Sequence, residues 1–169
     1  THLTAFLVDN AVSSSVAAWS LGLIGLFNII GAYFFGALGD RYSKKNLLTF
    51  LYLGRAVLMA AVLVVPINDV TALIFGAVMG VLWLATVPLT SSIVAQVFGL
   101  RYFSMLFGVV FMGHQFGSFA GAWLGGLIYD MTGSYDLMWV AACVLGLVAS
   151  ALHWPINEQP LARLETSPT

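Results

Sequence analysis

Charge is what this sequence has least of. Its 169 residues include six Lys/Arg and seven Asp/Glu, 8% of the chain, where a soluble domain carries about 25%. So few charges cannot furnish the surface of a water-soluble body of this size. The 60% hydrophobic content excludes intrinsic disorder as well. A net charge of −1 leaves no basic footprint for nucleic acid. The lone Cys143 excludes an internal disulfide and any cysteine-based metal cluster. Neither a Gly-x-Ser-x-Gly elbow nor a His-Glu-x-x-His zinc motif is present, and no nucleotide-binding loop occurs. No metal site and no cofactor is called for. What is abundant is apolar surface, so the solvent of this chain is lipid.

The spacing of the charges lays out the elements. Residues 10–39, 70–100, 102–129 and 137–157 are free of charge, and 46–68 holds only Arg55. A bilayer core about 30 Å thick needs roughly 20 apolar residues as helix, and a spanning segment must satisfy its own backbone. Five crossings follow, at about 15–38, 46–65, 71–98, 103–128 and 136–154. A transmembrane barrel would instead show short alternating segments of about ten residues. Residues 1–8 are apolar but stop at Asp9 and Asn10. They are too short to span, and they read as the last turns of a sixth helix whose beginning is missing.

Charge asymmetry orients the spans. The loops 39–45 and 99–102 and the tail 155–169 carry Arg41, Lys44, Lys45, Arg101 and Arg163. The opposite side, 9–14, 66–70 and 129–135, carries no Lys or Arg, and acids (Asp9, Asp69, Asp130, Asp136) lie along it. The basic side is therefore expected to be cytoplasmic, with the C-terminal tail on it. Trp19, Tyr42, Tyr102, Tyr129, Tyr135 and Trp154 fall near span ends, as interfacial aromatics do.

The chain also resembles itself. Gly31, Gly36 and Asp40 align with Gly121, Gly126 and Asp130, and Pro66-Ile67-Asn68-Asp69 aligns with Pro155-Ile156-Asn157-Glu158. Each unit holds three helices. An odd number makes the units antiparallel in the membrane, an inverted repeat of the kind found in secondary transporters.

One stretch is more specific. Gly36-Ala37-Leu38-Gly39-Asp40-Arg41-Tyr42-Ser43-Lys44-Lys45 joins the second and third helices on the cytoplasmic side. It resembles the signature loop of the major facilitator superfamily, Gly-x-Leu-(Gly/Ala)-Asp-Arg-aromatic-Gly-basic-basic, with Ser43 standing where the pattern has Gly. The resemblance covers the whole chain as the C-terminal half of such a transporter: an all-α integral membrane fold, six helices of twelve, built as two inverted three-helix repeats with the first helix truncated. It implies a missing N-terminal six-helix half, a multi-pass cell-membrane location, and a small-molecule substrate moved by alternating access. The nearest likeness is to the bacterial monocarboxylate and oxalate–formate antiporter branch, which suggests a carboxylate or other organic anion.

The loop's chemistry is readable by itself. Gly36 and Gly39 permit close helix approach. Asp40 suits a contact with the positive N-terminus of another helix, made in one conformer and broken in the other. Arg41, Lys44 and Lys45 suit anionic headgroups, at about 1 kcal/mol each.

Inside the spans, Arg55 costs a few kcal/mol, and it is open between structural ion pairing and anion binding. His114, with Gln115 beside it and Ser118 one turn on, is open between a proton or substrate role and a hydrogen bond across helices. Trp83, Thr86 and Thr90 share a face at i, i+3 and i+7. Pro88 between them predicts a kink, and Asn28 is a further cavity candidate. Gly113, Gly117, Gly121 and Gly125 form a smooth stripe for close helix packing, with Gly76 and Gly80 a shorter version. Against a transporter half stand a channel or assembly subunit, for which no charge ring or filter is visible, and an intramembrane enzyme, for which His114 and Ser118 lie on one helix without a catalytic motif.

Overall fold

A computed structural model describes residues 2–161; the last part of the tail, Arg163 included, lies outside the described residues. The described chain is helical: α1 (Leu3–Asp9), α2 (Ser14–Gly39), α3 (Lys44–Val64), α4 (Asp69–Trp83), α5 (Thr86–Phe98), α6 (Leu100–Thr132) and α7 (Asp136–His153). Five stretches are long and apolar enough to cross a membrane, with α4 and α5 together making the third of them, Asp69–Phe98. The expected spans are present. The expected single helix over 71–98 is instead two segments, and the helix expected over 103–128 is longer at both ends.

Local chemistry sets the ends. Ser13 Oγ accepts from Val16 N–H, and Ser43 Oγ accepts from Asn46 N–H at 3.5 Å. Ser43 therefore caps α3, a role the glycine of the family pattern cannot fill. Asn68 caps α4 by accepting from the backbone N–H groups of Val70 and Thr71, while its own N–H donates to Thr71 Oγ1, a complete capping box. Gly133, at φ 67°, ends α6 in the left-handed conformation that glycine tolerates best.

Two helix pairs carry the bundle, α2 on α4 and α3 on α7. Missing side chains let α2 and α4 meet. A Cβ at Gly31 would overlap the Val81 carbonyl, one at Gly76 would lie 2.5 Å from the Ser20 carbonyl oxygen, and one at Gly80 2.7 Å from that of Ile24. Ser20 Oγ, fully buried, donates to Ala72 O at 2.7 Å across the same seam. In the second pair Ser150 Oγ donates to Thr49 O at 2.9 Å, and Gly146 faces Ala56.

One apolar cluster, around α1, gathers Phe6 and Leu7 of that helix with Phe75, Met79 and Trp139. Phe6 and Phe75 both meet the Trp139 ring edge-on. The other, at the opposite end of the bundle, joins Leu48 and Leu51 to Ala85, Leu89 and Ile93. Tyr135 lies buried in the first of these clusters, where burial and the Asp9 and Asp130 carboxylates push its phenol up.

α6 packs sparsely, meeting α5 and one end of α7. Among its residues only Gly125 is buried, and Phe103, Phe107, Phe111 and His114 run as successive ring neighbours along it.

Candidate functional site

The interruption between α4 and α5 organises the candidate residues. Pro88 has no N–H, so the Leu84 carbonyl loses its i+4 donor. Val87 N–H takes that carbonyl instead, at 3.1 Å, in a tighter i+3 bond. The disruption therefore falls at Leu84–Ala85, a turn before the proline. Asn28 supplies the missing partner on the other side: its Oδ1 accepts from Leu84 N–H at 3.1 Å. Asn28 and Gly31 lie one turn apart on α2. The absent side chain at Gly31 lets α2 close on Val81, and Asn28 then reaches Leu84, one turn further along.

Thr86 Oγ1 donates to Trp83 O at 3.3 Å across the break. Trp83 ends α4 and Thr86 begins α5, so the common face expected for Trp83, Thr86 and Thr90 does not run through one continuous helix. Thr86 and Thr90 remain on α5, both half-buried.

Arg55 reaches this break from α3. Its guanidinium carbon lies 5.0 Å from the Trp83 ring centre and 5.4 Å from that of Tyr52. The Nε is buried, with no hydrogen-bond partner among the described residues. The ion pair that the sequence left open is not made there, and aromatic faces take its place. Tyr52 in turn stacks on His153 at 4.8 Å.

The structure thus brings together Asn28, Trp83, Thr86 and Arg55. His114, Gln115 and Ser118 lie apart from them, all exposed on α6, with His114 stacked on Phe111 at 5.8 Å. At 1.5 Å of rise per residue, His114 and Thr86 both stand about 20 Å from the Gly99 turn. Gly113, Gly117 and Gly121 face open space, and only Gly125 is packed, against His2 and Met138. The close packing expected along that whole stripe is realised at one end of it. The shorter version, Gly76 and Gly80, is the tight seam described above.

In the signature loop, Gly39 is buried against Leu89, and Gly36 faces Pro88 with room to spare. Asp40 forms the C-cap of α2 and is exposed, as is Arg41. The acid found at a helix N-terminus is a different one. Glu158 Oε1 accepts from Lys45 N–H at 2.6 Å in the first turn of α3. Lys44 Nζ donates to Gln96 Oε1 at 2.9 Å, Gln96 Nε2 donates to Glu158 O at 2.8 Å, and Leu161 N–H donates to Val97 O at 3.0 Å. Gln96 and Val97 are not among the residues the sequence singled out, and Glu158 entered only as the end of a repeated motif, not as a site candidate. The repeated Pro-Ile-Asn-acid motif was the available signal: its first copy caps α4, and its second delivers Glu158 to α3.

Two clefts lie elsewhere. One of about 190 Å³ is apolar, between α1, α3 and α4. One of about 230 Å³ is polar, near Asp9, Tyr129 and Asp136. Neither is lined by a candidate residue.

The family model described as Major Facilitator Superfamily matches residues 3–168. An uncharacterized MFS-type transporter of Bacillus subtilis, YcxA, is 27% identical over 156 residues, covering 89% of this chain and 38% of that protein. Monocarboxylate transporter 12 of Mus musculus is 27% identical over 154 residues, 89% of this chain and 32% of the relative. Multidrug resistance protein MdtG of Proteus mirabilis is 30% identical over 120 residues, 71% and 29% respectively. The chain therefore spans well under half the length of these relatives. With a family match across nearly all of its residues, five apolar spans and the signature loop between two of them, this chain belongs to the Major Facilitator Superfamily, a family of membrane transporters.

Proposed function

We propose that the chain is the C-terminal six-helix portion of a secondary active transporter in the cell membrane, moving a small organic anion by alternating access. Its C-terminal tail lies in the cytoplasm, the path runs between this portion and an N-terminal six-helix half, and the cycle is symport, antiport or uniport. The relatives' greater length supports the two-part assembly, and the positive loops support the orientation.

The observation that carries the anionic solute is Arg55. A cation within a span is costly unless something compensates it. Here the recorded compensation is two aromatic faces, without a carboxylate among the described residues. A carboxylate solute supplies the missing charge at the α4–α5 interruption, where Asn28, Trp83, Thr86 and Thr90 offer polar and aromatic contacts. The exposed row His114, Gln115 and Ser118 faces the path from α6, and imidazole there can donate to a carboxylate or carry a proton. A relative named for monocarboxylates supports the same class. Gly36, Gly39 and Asp40 form the conformational latch, with Asp40 meeting a helix N-terminus of the other half. Arg41 and Lys45 face lipid headgroups, while Lys44 is held by Gln96 of α5.

The test is uptake by the full-length parent protein in liposomes, with carboxylates such as lactate and pyruvate beside neutral solutes. Arg55→Gln raises the KM for carboxylates at least tenfold, a loss of about 1.4 kcal/mol, and leaves the protein folded. An unchanged KM in folded Arg55→Gln protein would remove Arg55 from the path. His114→Ala, assayed for affinity and pH dependence, separates a substrate or proton role from a purely structural one. Asp40→Asn that alters neither transport nor conformational exchange would remove the latch.

A further inference from the structure

We propose that the polar cleft between the end of α1, the end of α6 and the turn into α7 is a binding site for a primary ammonium group, carried by a lipid headgroup or by a free amine. The site does not depend on which solute the protein moves. Asp9 and Asn10 line it from the end of α1, Tyr129 from α6, and Ser134, Tyr135 and Asp136 from the turn. No Lys or Arg occurs in residues 1–40 or 102–162, the stretches that supply every wall. The nearest ring that could carry a positive charge, His2, is turned to α6, with its Nε2 2.8 Å from Ala122 O.

Two of the acids stand where the fold alone gains nothing from them. Asp9 is the last residue of α1, and Asp130 lies in the last turn of α6. A helix C-terminus is the negative end of its dipole, so a carboxylate there adds to charge of its own sign. Asp136, in the first turn of α7, is the favourable case. The two C-termini and the carboxylates together make a field that a cation relieves.

Tyr135 points to the guest independently. It is 7% exposed, with its ring stacked on Tyr129 at 4.4 Å and met edge-on by Phe6. Its phenol makes no hydrogen bond among the described residues. Beyond its burial, the groups that act on that phenol are the Asp9 and Asp130 carboxylates. A hydroxyl held by so buried a side chain normally has a partner. The partner missing here is one that donates to a phenol oxygen and to carboxylates together.

A primary ammonium is such a donor. It has three N–H groups and no acceptor, its bonds to carboxylates are charge-assisted, and aromatic rings favour a cation beside them. A metal ion fits less well, because no three His, Cys, Asp or Glu among the described residues are grouped to hold one. The volume of about 230 Å³ falls below the roughly 300–1,000 Å³ of drug-sized sites, which suits a small amine or a single headgroup. The turn at 133–135 joins the ends of two spans, so the cleft opens at the level of lipid headgroups.

The experiment uses the full-length parent protein, purified in detergent and stripped of lipid. Ethanolamine is titrated by calorimetry beside ethylene glycol, in which a hydroxyl replaces the ammonium. Ethanolamine should bind saturably and ethylene glycol should not. Asp9→Asn combined with Asp136→Asn should weaken ethanolamine binding by about tenfold or more. Tyr135→Phe, which keeps the ring packing, should weaken it too, and it serves if the double variant does not fold. The source is read by native mass spectrometry on protein drawn from bilayers of phosphatidylethanolamine and phosphatidylglycerol. Phosphatidylethanolamine retained by the unaltered protein and lost from the variants identifies a headgroup. Ethanolamine binding without retained lipid identifies a free amine. Binding of neither ethanolamine nor phosphatidylethanolamine would overturn the proposal, as would folded variants that bind both as the unaltered protein does. None of these readouts requires transport, so a parent protein that moves no organic anion would sink the function proposed above and leave this site standing.

Discussion

Asn28 shows what single residues do here and how far a sequence reveals it. An asparagine in an apolar span is visible as an anomaly, and cavity lining was one reading of it. The structure gives it the Leu84 N–H at the interruption of the third expected span. That bond depends on Gly31, whose missing side chain sets the distance between α2 and α4 and which is only one of 17 glycines in the sequence. Asn28→Ala leaves the Leu84 N–H without a partner within a span, where lipid offers none, so it should lower the stability of the purified parent by about 1–3 kcal/mol. Thermal unfolding in detergent measures this, and an unchanged midpoint would contradict it. Gly31→Leu should prevent assembly outright, because the overlap is with backbone that cannot rotate away. Membrane-extracted protein that elutes as a single folded species would count against that. Arg55 was legible as a costly charge. Its Trp83 partner was not, because Arg55 and Trp83 belong to different spans and no local pattern links them.

At the scale of elements, the five spans were legible because membrane thickness sets their length and charge sets their ends. The interruption was half legible. Pro88 announces a kink, but the position of the disruption follows from which carbonyl loses its donor, a turn upstream. Stripes of small residues were ambiguous for a physical reason: glycine spacing records that a face is smooth, not whether a helix lies on it. Gly76 and Gly80 are packed against α2, while Gly113, Gly117 and Gly121 face open space. Pro88→Ala returns an N–H donor to the third expected span. It should therefore raise thermal stability, by up to about 3 kcal/mol on helix propensity alone, and slow transport by stiffening the joint between α4 and α5. Uptake rate and unfolding midpoint measured on the same preparation check this. Faster transport, or loss of stability, would speak against the joint.

At the scale of the whole molecule, the Asp40–Arg41 loop identified the superfamily from the sequence, and the family match across residues 3–168 agrees with it. The long-range ties were beyond reach of pattern reading. Glu158 and Lys45 are separated by 113 residues, and Ser150 and Thr49 by 101. Such contacts are set by how helices pack, not by any local periodicity. The same holds for α6, whose exposed face leaves His114, Gln115 and Ser118 open. In the function proposed above, this face lines the path between two halves. The most direct measurement compares solute uptake into liposomes by the full-length parent protein with uptake by the 169-residue chain alone. Saturable uptake of a small organic anion by the parent, and none above leak by the chain, is the result expected. Equal uptake by the two, or a folded parent that takes up no organic anion, would contradict the assignment of this chain as one portion of an alternating-access transporter.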